Sequence, residues 1–105
     1  MELKRVVVTG LGALTPVGNT VAETWENLVN GVSGAGPITH FDASKFKTQF
    51  ACEVKGFNGA DFIDRKEVRK MDLYTQYAIV AAKEAIADSE MDLEKEDLNK
   101  IGVIY

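Results

Sequence analysis

Residues 5–19, with the sequence RVVVTGLGALTPVGN, constrain the fold more than any other stretch of the chain. They begin with a β-branched run at residues 6–8, and a continuous apolar run bounded by turn residues is typical of a strand buried on both faces. Glycines and a proline then follow closely enough to end any regular element. Thr20 and Glu23 have the spacing of a capping box, which predicts a helix next. The chain therefore opens as strand, glycine-rich bend and helix, the start of an α/β unit.

A strand followed by glycines suggests a dinucleotide site, whose fingerprint is G-x-G-x-x-G. Gly10 and Gly12 supply the first two glycines, but Thr15 stands where the third would let the helix pack close to the strand. No acidic residue follows a clear second strand about 20 residues on, and no Gly-Lys-Ser or Gly-Lys-Thr phosphate loop exists. The sequence therefore favours a tight buried bend over a nucleotide site.

The middle of the chain is predicted to hold one helix, a loop and a short strand. Apolar side chains recur at helical spacing over residues 20–30, and Gly31 can adopt the left-handed conformation that ends helices. A loop is predicted over residues 33–42, because two glycines and Pro37 oppose a regular element there. Residues 50–54 alternate weakly and are predicted to form a short strand or extended edge.

The longest helix is predicted over residues 71–89, with Asp72 as its cap. Its many alanines permit close backbone approach, so the helix is expected to be largely buried. Residues 101–105 form a second β-branched run, and a helix between two such strands is a crossover unit of a parallel sheet. Because two or three strands cannot complete that sheet, the chain is expected to be the first piece of a larger α/β protein, or to complete its sheet with other chains.

Composition excludes several classes of function. The 105 residues make at most one small domain, and with 46% hydrophobic residues the chain can bury a core. A formal charge of −4 argues against general nucleic-acid binding. One cysteine and one histidine cannot by themselves make a disulfide or a zinc site. No signal peptide or membrane-length stretch is visible, so a cytoplasmic protein without a membrane partner is expected.

The lone cysteine and the lone histidine have no visible catalytic partners. A nucleophilic cysteine is usually activated by a helix N-terminus or a nearby histidine, and neither is indicated around Cys52. A small buried apolar role is therefore predicted for Cys52. His40 lies in the predicted loop, where it could act as a general base, but no second catalytic group lies near it in sequence.

Residues 61–72, DFIDRKEVRKMD, carry the most unusual local charge. Four cations stand against the single anion Glu67 within six residues. The cations are Arg65, Lys66, Arg69 and Lys70. In a helix the last three would share one face, at i, i+3 and i+4. Clustered positive charge on a net acidic protein points to an acidic partner, and an ordinary solvated face is the alternative that composition leaves open.

Four stretches, taken together and in order, resemble the β-ketoacyl-acyl-carrier-protein synthase family. They are VVVTGLGALTPVGN at 6–19, W-x-x-L at 25–28, ITHFD at 38–42 and RKEVRKMDLYTQYAIVAA at 65–82. The likeness covers essentially the whole chain and is greatest to the type II synthases of bacterial fatty-acid elongation, with the type I synthases as near neighbours. Such enzymes are several times longer, so residues 1–105 correspond to the N-terminal part of their N-terminal half, without the catalytic remainder.

The resemblance implies an α/β protein with a thiolase-like αβαβα fold, a mixed sheet and buried helices, assembled as a homodimer. It implies elongation of fatty acyl chains by decarboxylative Claisen condensation with malonyl carrier protein. It implies no cofactor in the chain, because phosphopantetheine arrives on the acyl carrier protein. The implied partners are that carrier, a second copy, and the rest of its own chain or a second fragment.

The family's nucleophilic cysteine and two histidines lie downstream of these residues. The resemblance therefore gives neither Cys52 nor His40 a catalytic role, and the segment alone is expected to be inactive. The family's basic segment before the long helix docks the acidic carrier protein. The matching positions are Lys66, Arg69 and Lys70, with Arg65 adjacent.

Two other classes of protein remain as alternatives. A noncatalytic chain-length partner subunit shares the family fold but lacks the cysteine, and the downstream residue at the nucleophile position would distinguish it. A stand-alone binding module would fold alone as a monomer, and the unfinished sheet argues against it.

Overall fold

A computed structural model describes residues 1–104 of the chain. The helices are α1 (Val21–Val29), α2 (Arg65–Val68) and α3 (Leu73–Ser89), and the strands are β1 (Ala35–Pro37) and β2 (Phe50–Cys52). Single 3₁₀ turns lie at Gly59–Asp61 and Leu98–Lys100. Within the described residues, no helix combines the length and the apolar character needed to cross a membrane.

Helix α1 begins and ends where the sequence predicts. The Thr20 hydroxyl accepts a hydrogen bond from the Glu23 backbone N–H at 3.1 Å, while the Glu23 carboxylate accepts from the Asn19 N–H at 3.2 Å. Gly31 has φ +68° just beyond the helix, the left-handed conformation expected after a C-cap. The apolar stripe is nevertheless uncovered, since α1 has no buried residue and Trp25 is 67% exposed.

Helix α3 follows the predicted span, but its expected burial is wrong. Only Gln76 and Val80 are buried along its whole length. The opening segment covers part of the helix and residues 57–71 contact its first and middle turns, but its other residues are exposed or only partly buried. Asp72 precedes the helix as predicted, but its side chain makes no capping hydrogen bond. Asp72 contributes only its backbone carbonyl, which accepts from the Gln76 N–H at 3.2 Å.

The glycine-rich opening segment lies directly on the backbone of α3. A Cβ on Gly12 would overlap the Ala81 carbonyl group, and one on Gly10 would overlap that of Ala85. The predicted tight bend is therefore a close approach of two backbones, which only glycine permits here. The alanines of α3 permit the same approach, because their small side chains leave the helix backbone accessible on that face.

Two carboxylates of α3 fix the opening segment by accepting its backbone N–H groups. Asp88 accepts from Leu11 at 2.9 Å, and Glu84 accepts from Ala13 at 3.0 Å. The second oxygen of Glu84 accepts from Val21 N–H in the first turn of α1 at 2.9 Å. One carboxylate thus joins α3, the bend and α1, and it satisfies an N–H that the helix start leaves unpaired.

The strand predictions are only partly confirmed. No strand forms at residues 6–8, where Val6 is 89% exposed, or at residues 101–104; Tyr105 lies outside the described residues. A strand needs a neighbour for its backbone hydrogen bonds, and none runs beside either run in the described chain. The expected mixed sheet is accordingly replaced, within residues 1–104, by a two-stranded antiparallel sheet.

One strand lies where a loop was predicted. Strand β1 pairs with β2, with Ala35 opposite Cys52 and Pro37 opposite Phe50. The Ile38 N–H donates to the Gln49 carbonyl at 3.1 Å, so the hydrogen-bonded pair lies one position beyond Pro37. In an antiparallel ladder the adjacent pair exchanges no hydrogen bonds, which explains why proline is tolerated in β1.

Replacing Gly12 with alanine is predicted to destabilise the fold by about 1–3 kcal/mol, because the added Cβ overpacks the contact with α3. The midpoint of urea unfolding measures this. Gly36→Ala is the matched control, since a Cβ there meets nothing within 4 Å. Equal midpoints for the two variants would contradict the close approach.

Candidate functional site

The four predicted cations lie together at the corner that joins α2 to α3, called here the basic corner (Arg65, Lys66, Arg69 and Lys70). Asp64 begins α2, and its carboxylate accepts from the Lys66 backbone N–H at 2.8 Å. Arg69 keeps a right-handed helical conformation just beyond α2, at φ −66° and ψ −18°. The helical geometry that the spacing predicted is therefore present, although it lasts little more than one turn.

Most of the positive charge of the basic corner is exposed and unpaired. Glu67 and Lys70 form an ion pair at 3.3 Å, with 51% and 70% of their side chains exposed. Arg65, Lys66 and Arg69 are also exposed, and none of them makes an ion pair within residues 1–104. An exposed pair such as Glu67–Lys70 contributes only about 0.2–1 kcal/mol, so the positive charge remains available to an external anion.

A buried amide on α3 holds the backbone of the basic corner. Gln76 is 6% exposed, and its Nε2 donates to the carbonyls of Met71 at 3.1 Å and Val68 at 3.5 Å. Gly59 lies against the amide oxygen, where any Cβ would overlap it. The corner is therefore attached to the first turns of α3 by hydrogen bonds as well as by the chain.

Aromatic rings hold the segment just before α2. Phe57 stacks on Phe62 with ring centroids 6.1 Å apart and meets Tyr77 of α3 edge-on at 5.1 Å. The Lys83 ammonium donates to the Phe62 carbonyl at 2.8 Å. Both ends of the basic corner are consequently attached to α3, a stable base for exposed charged side chains.

The structure gives Cys52 and His40 no shared catalytic geometry. Cys52 is exposed, so its predicted burial is wrong, because nothing described covers that face of the two-stranded sheet. His40 lies in an exposed loop with its Nε2 3.9 Å from a Glu53 carboxylate oxygen. No hydrogen bond joins His40 to Cys52, and no group of three or more metal-ligating side chains occurs in the described part of the chain.

Glu53 holds the loop that carries His40. Its carboxylate accepts from the Thr39 hydroxyl at 2.7 Å and from the Thr39 N–H at 2.9 Å, with a longer contact to the His40 N–H at 3.4 Å. These hydrogen bonds, those from Thr39 above all, lower the pKa of Glu53 below its ordinary value of 4.5. Glu53 therefore closes the loop after β1 rather than assisting a nucleophile.

The lowered pKa of Glu53 predicts an acid-sensitive loop. Ionised Glu53 stabilises the fold above its unfolded-state value of 4.5, and this contribution is lost as the pH falls through the lower folded-state pKa. Glu53→Gln should lower Tm at neutral pH, with a difference from wild type that vanishes at strongly acidic pH. Glu26→Gln, which removes a carboxylate without hydrogen bonds in residues 1–104, should leave Tm unchanged. A Glu53→Gln difference that is constant with pH would contradict this role.

Two N–H groups of the opening bend are already occupied and are not free to bind phosphate. The N–H groups of Leu11 and Ala13 already donate to carboxylates of α3. A phosphate at these N–H groups would displace or face two negative charges, an unfavourable arrangement at either position. A nearby cavity of about 190 Å³ is lined in part by Lys55, whose ammonium donates to the carbonyls of Pro16, Gly34 and Glu53 at 2.8–3.0 Å.

Comparison with known proteins places this arrangement in a family. The family model described as "Beta-ketoacyl synthase, N-terminal domain" matches residues 3–105. The chain belongs to the β-ketoacyl synthase N-terminal domain family. The resemblance inferred from the four sequence stretches is thereby confirmed.

Curated relatives within this ketosynthase family are close in sequence. The chain is 51% identical over 100 residues to 3-oxoacyl-[acyl-carrier-protein] synthase 2 of Staphylococcus aureus (strain COL), covering 95% of this chain and 24% of the relative. It is 46% identical over 104 residues to the synthase 2 of Synechocystis sp., covering 99% of this chain and 25% of that protein. The chain thus spans about a quarter of the length of these relatives.

Solved ketosynthase structures share the fold of the segment. The ishigamide ketosynthase/chain length factor matches with a TM-score of 0.76 and 36% identity, over 84% of this chain and 22% of that one. A ketosynthase in complex with its type II PKS acyl-carrier protein and bound to the hexaketide matches with a TM-score of 0.71 and 31% identity. That match covers 93% of this chain and 24% of the ketosynthase chain. The segment is therefore similar in fold to the corresponding part of these ketosynthases.

Sequence reasoning located the cations of this ketosynthase segment but missed what supports them. In the sequence, Gln76 is one polar residue in an alanine-rich helix, and Gly59 is the glycine of an Asn-Gly pair typical of a turn. The only available signal was a glutamine on a face otherwise expected to be buried, where an amide needs partners. Which backbone carbonyls it reaches depends on how the chain folds back between Gly59 and α3.

Proposed function

We propose that this chain is the N-terminal segment of a 3-oxoacyl-acyl-carrier-protein synthase that elongates fatty acyl chains. The observation that carries the proposal is the 51% identity to synthase 2 of Staphylococcus aureus over 95% of the chain. The match covers 95% of the chain, so it spans the opening bend, the basic corner and α3.

The proposed reaction is a decarboxylative Claisen condensation. An acyl group carried as a thioester on the enzyme's cysteine is attacked by the carbanion that forms when malonyl carrier protein loses carbon dioxide. The products are the free enzyme thiol, carbon dioxide and a 3-oxoacyl carrier protein with a chain two carbons longer. The nucleophilic cysteine and two histidines belong to the proposed remainder of the synthase, so residues 1–105 alone are inactive.

Within this synthase the basic corner is proposed to dock the acidic acyl carrier protein. The support is its exposed, largely unpaired charge and its attachment to α3 on both sides. A solved structure of a related ketosynthase in complex with an acyl-carrier protein adds to this support. Exposed charges of this kind mainly accelerate encounter and set the register of the complex. The carrier brings phosphopantetheine, so the segment needs no cofactor of its own.

The uncovered apolar surfaces support a larger assembly. Trp25, Leu28 and Val29 on α1 are 57–67% exposed, and the β-branched run at residues 6–8 is also open. Contiguous exposed apolar surface marks an interface that another part of a protein covers. The proposal therefore includes a cytoplasmic homodimer with the thiolase-like αβαβα fold, in which these surfaces are buried against the remaining layers and their strands find neighbours.

Condensing activity tests the proposal directly. The full-length protein that carries this segment, supplied with acyl and malonyl carrier proteins, should release carbon dioxide and form the 3-oxoacyl carrier protein, detected by mass spectrometry. Residues 1–105 alone should form none. A full-length protein that condenses only when a second ketosynthase is added would instead support the chain-length partner role, which the likeness to a ketosynthase/chain length factor keeps as the second candidate.

Charge reversal tests the docking role. Arg69→Glu with Lys70→Glu, in the full-length protein, should weaken binding of acyl carrier protein several-fold, because exposed pairs contribute about 0.2–1 kcal/mol each. Thermal unfolding should change little, since both side chains are exposed and the Glu67–Lys70 pair that is lost contributes only about 0.2–1 kcal/mol.

The matched control reverses the same number of charges at the opposite end of α3. Lys95 and Lys100 lie beside Ser89 and Met91, beyond the last turn of the helix. Lys95→Glu with Lys100→Glu should leave carrier affinity near that of the wild type. An equal loss in both double variants would show a nonspecific effect of net charge and would contradict docking at the basic corner.

A further inference from the structure

We infer that Gln76 is a positioning residue for carrier binding, because its buried amide fixes the backbone on both sides of Arg69 and Lys70. The inference rests on the proposed docking role of the basic corner and adds to it a residue that touches no partner. It concerns where the two charges are held relative to α3, rather than the charges themselves.

The geometry of the amide is specific to these two residues. Val68 immediately precedes the pair and Met71 immediately follows it, and Gln76 Nε2 donates to both of their carbonyls, at 3.5 and 3.1 Å. Within residues 1–104 no other side chain makes a hydrogen bond to either carbonyl. The two-residue turn that carries the charges is itself closed by a backbone hydrogen bond from the Met71 N–H to the Val68 carbonyl at 3.2 Å. Gln76 attaches this closed turn to the first turn of α3.

The surroundings leave the amide little freedom to move. Gln76 is 6% exposed, and Gly59 lies so close to its oxygen that a Cβ there would displace the amide. An amide in such a position would lose its partners only at the cost of leaving buried polar groups unpaired. The carbonyl positions of Val68 and Met71 are therefore set by the rigid helix α3.

The aromatic contacts do not duplicate this function. Phe57, Tyr77 and Lys83 hold the chain at Phe62, before α2 begins. Between Phe62 and the charged pair lies the whole of α2, which has no buried residue. Without Gln76 the end of α2 and the following turn can shift while the aromatic contacts persist. Charge–charge attraction depends on distance, so such a shift weakens the pairs with an acidic helix.

A double-mutant cycle on carrier binding separates positioning from general stability. In the full-length protein at low ionic strength, Gln76→Met keeps the length of the side chain and removes both donors. It should weaken binding of holo-acyl carrier protein about threefold, the scale of one exposed ion pair. In the Arg69→Glu, Lys70→Glu background the same change should have no further effect, because the charges it positions are gone.

Gln49→Met is the matched control. Gln49 also donates through Nε2 to two backbone carbonyls, of Ser44 and Phe46, each at 3.2 Å, but it lies in an exposed loop away from the basic corner. This variant should bind the carrier as tightly as the wild type. Gly59→Ala, whose Cβ displaces the Gln76 amide, should weaken carrier binding as much as Gln76→Met does. It replaces Gln76→Met as the test of the positioning role if that variant does not fold.

The outcomes distinguish the inference from the function it rests on. If the unmodified protein binds no carrier, the proposed docking role fails and the inference fails with it. If the unmodified protein binds and the double charge reversal weakens binding, docking stands. Wild-type affinity in Gln76→Met, or a Gln76→Met loss that is fully additive with the charge reversal, would then overturn the positioning role alone.

Discussion

The contact between the glycine-rich opening segment and helix α3 is the constraint on which the rest of the structure depends. At Gly12 the two backbones approach so closely that a single added carbon would overlap the Ala81 carbonyl group. The approach partly buries the Ala13 N–H, and the Glu84 carboxylate accepts from it in a charge-assisted hydrogen bond. Since Glu84 also accepts from the first turn of α1, the position of that helix follows from the same side chain.

Helix α3 therefore contacts a different part of the chain at each end. Near its end, Glu84 and Asp88 hold the bend, and the small side chains of Ala81 and Ala85 allow the backbones to meet. Near its start, Gln76 holds the turn that carries exposed positive charge. The folding contact begins at Ala81, eight residues or about 12 Å of helix rise beyond Leu73, where α3 leaves the charged surface. Substitutions on the charged surface should accordingly leave the folding contact intact.

The sequence predicted correctly those features that depend on residues close together in the chain. The capping of α1 by Thr20, the left-handed Gly31 and the clustering of cations before α3 all follow from residues only a few positions apart. The predictions that failed needed distant partners. Residues 6–8 were expected to be a buried strand, but strands exist only in pairs, and Cys52 was expected to be buried on a face that nothing described covers. Gln76 could be identified as unusual, but not the carbonyls it binds.

The placement of charge relative to apolar surface argues for a division of labour within the proposed synthase. The basic corner needs an exposed position with mobile side chains, because encounter with an acidic carrier is governed by long-range attraction. Covalent condensation needs a site from which water is excluded, which the open surfaces of residues 1–104 do not provide. The exposed apolar stripe of α1 and the run at residues 6–8 are suited to burial against such a site's surrounding layers. In that arrangement α3 holds the basic corner at its start and the opening bend near its end, so one helix sets the position of both.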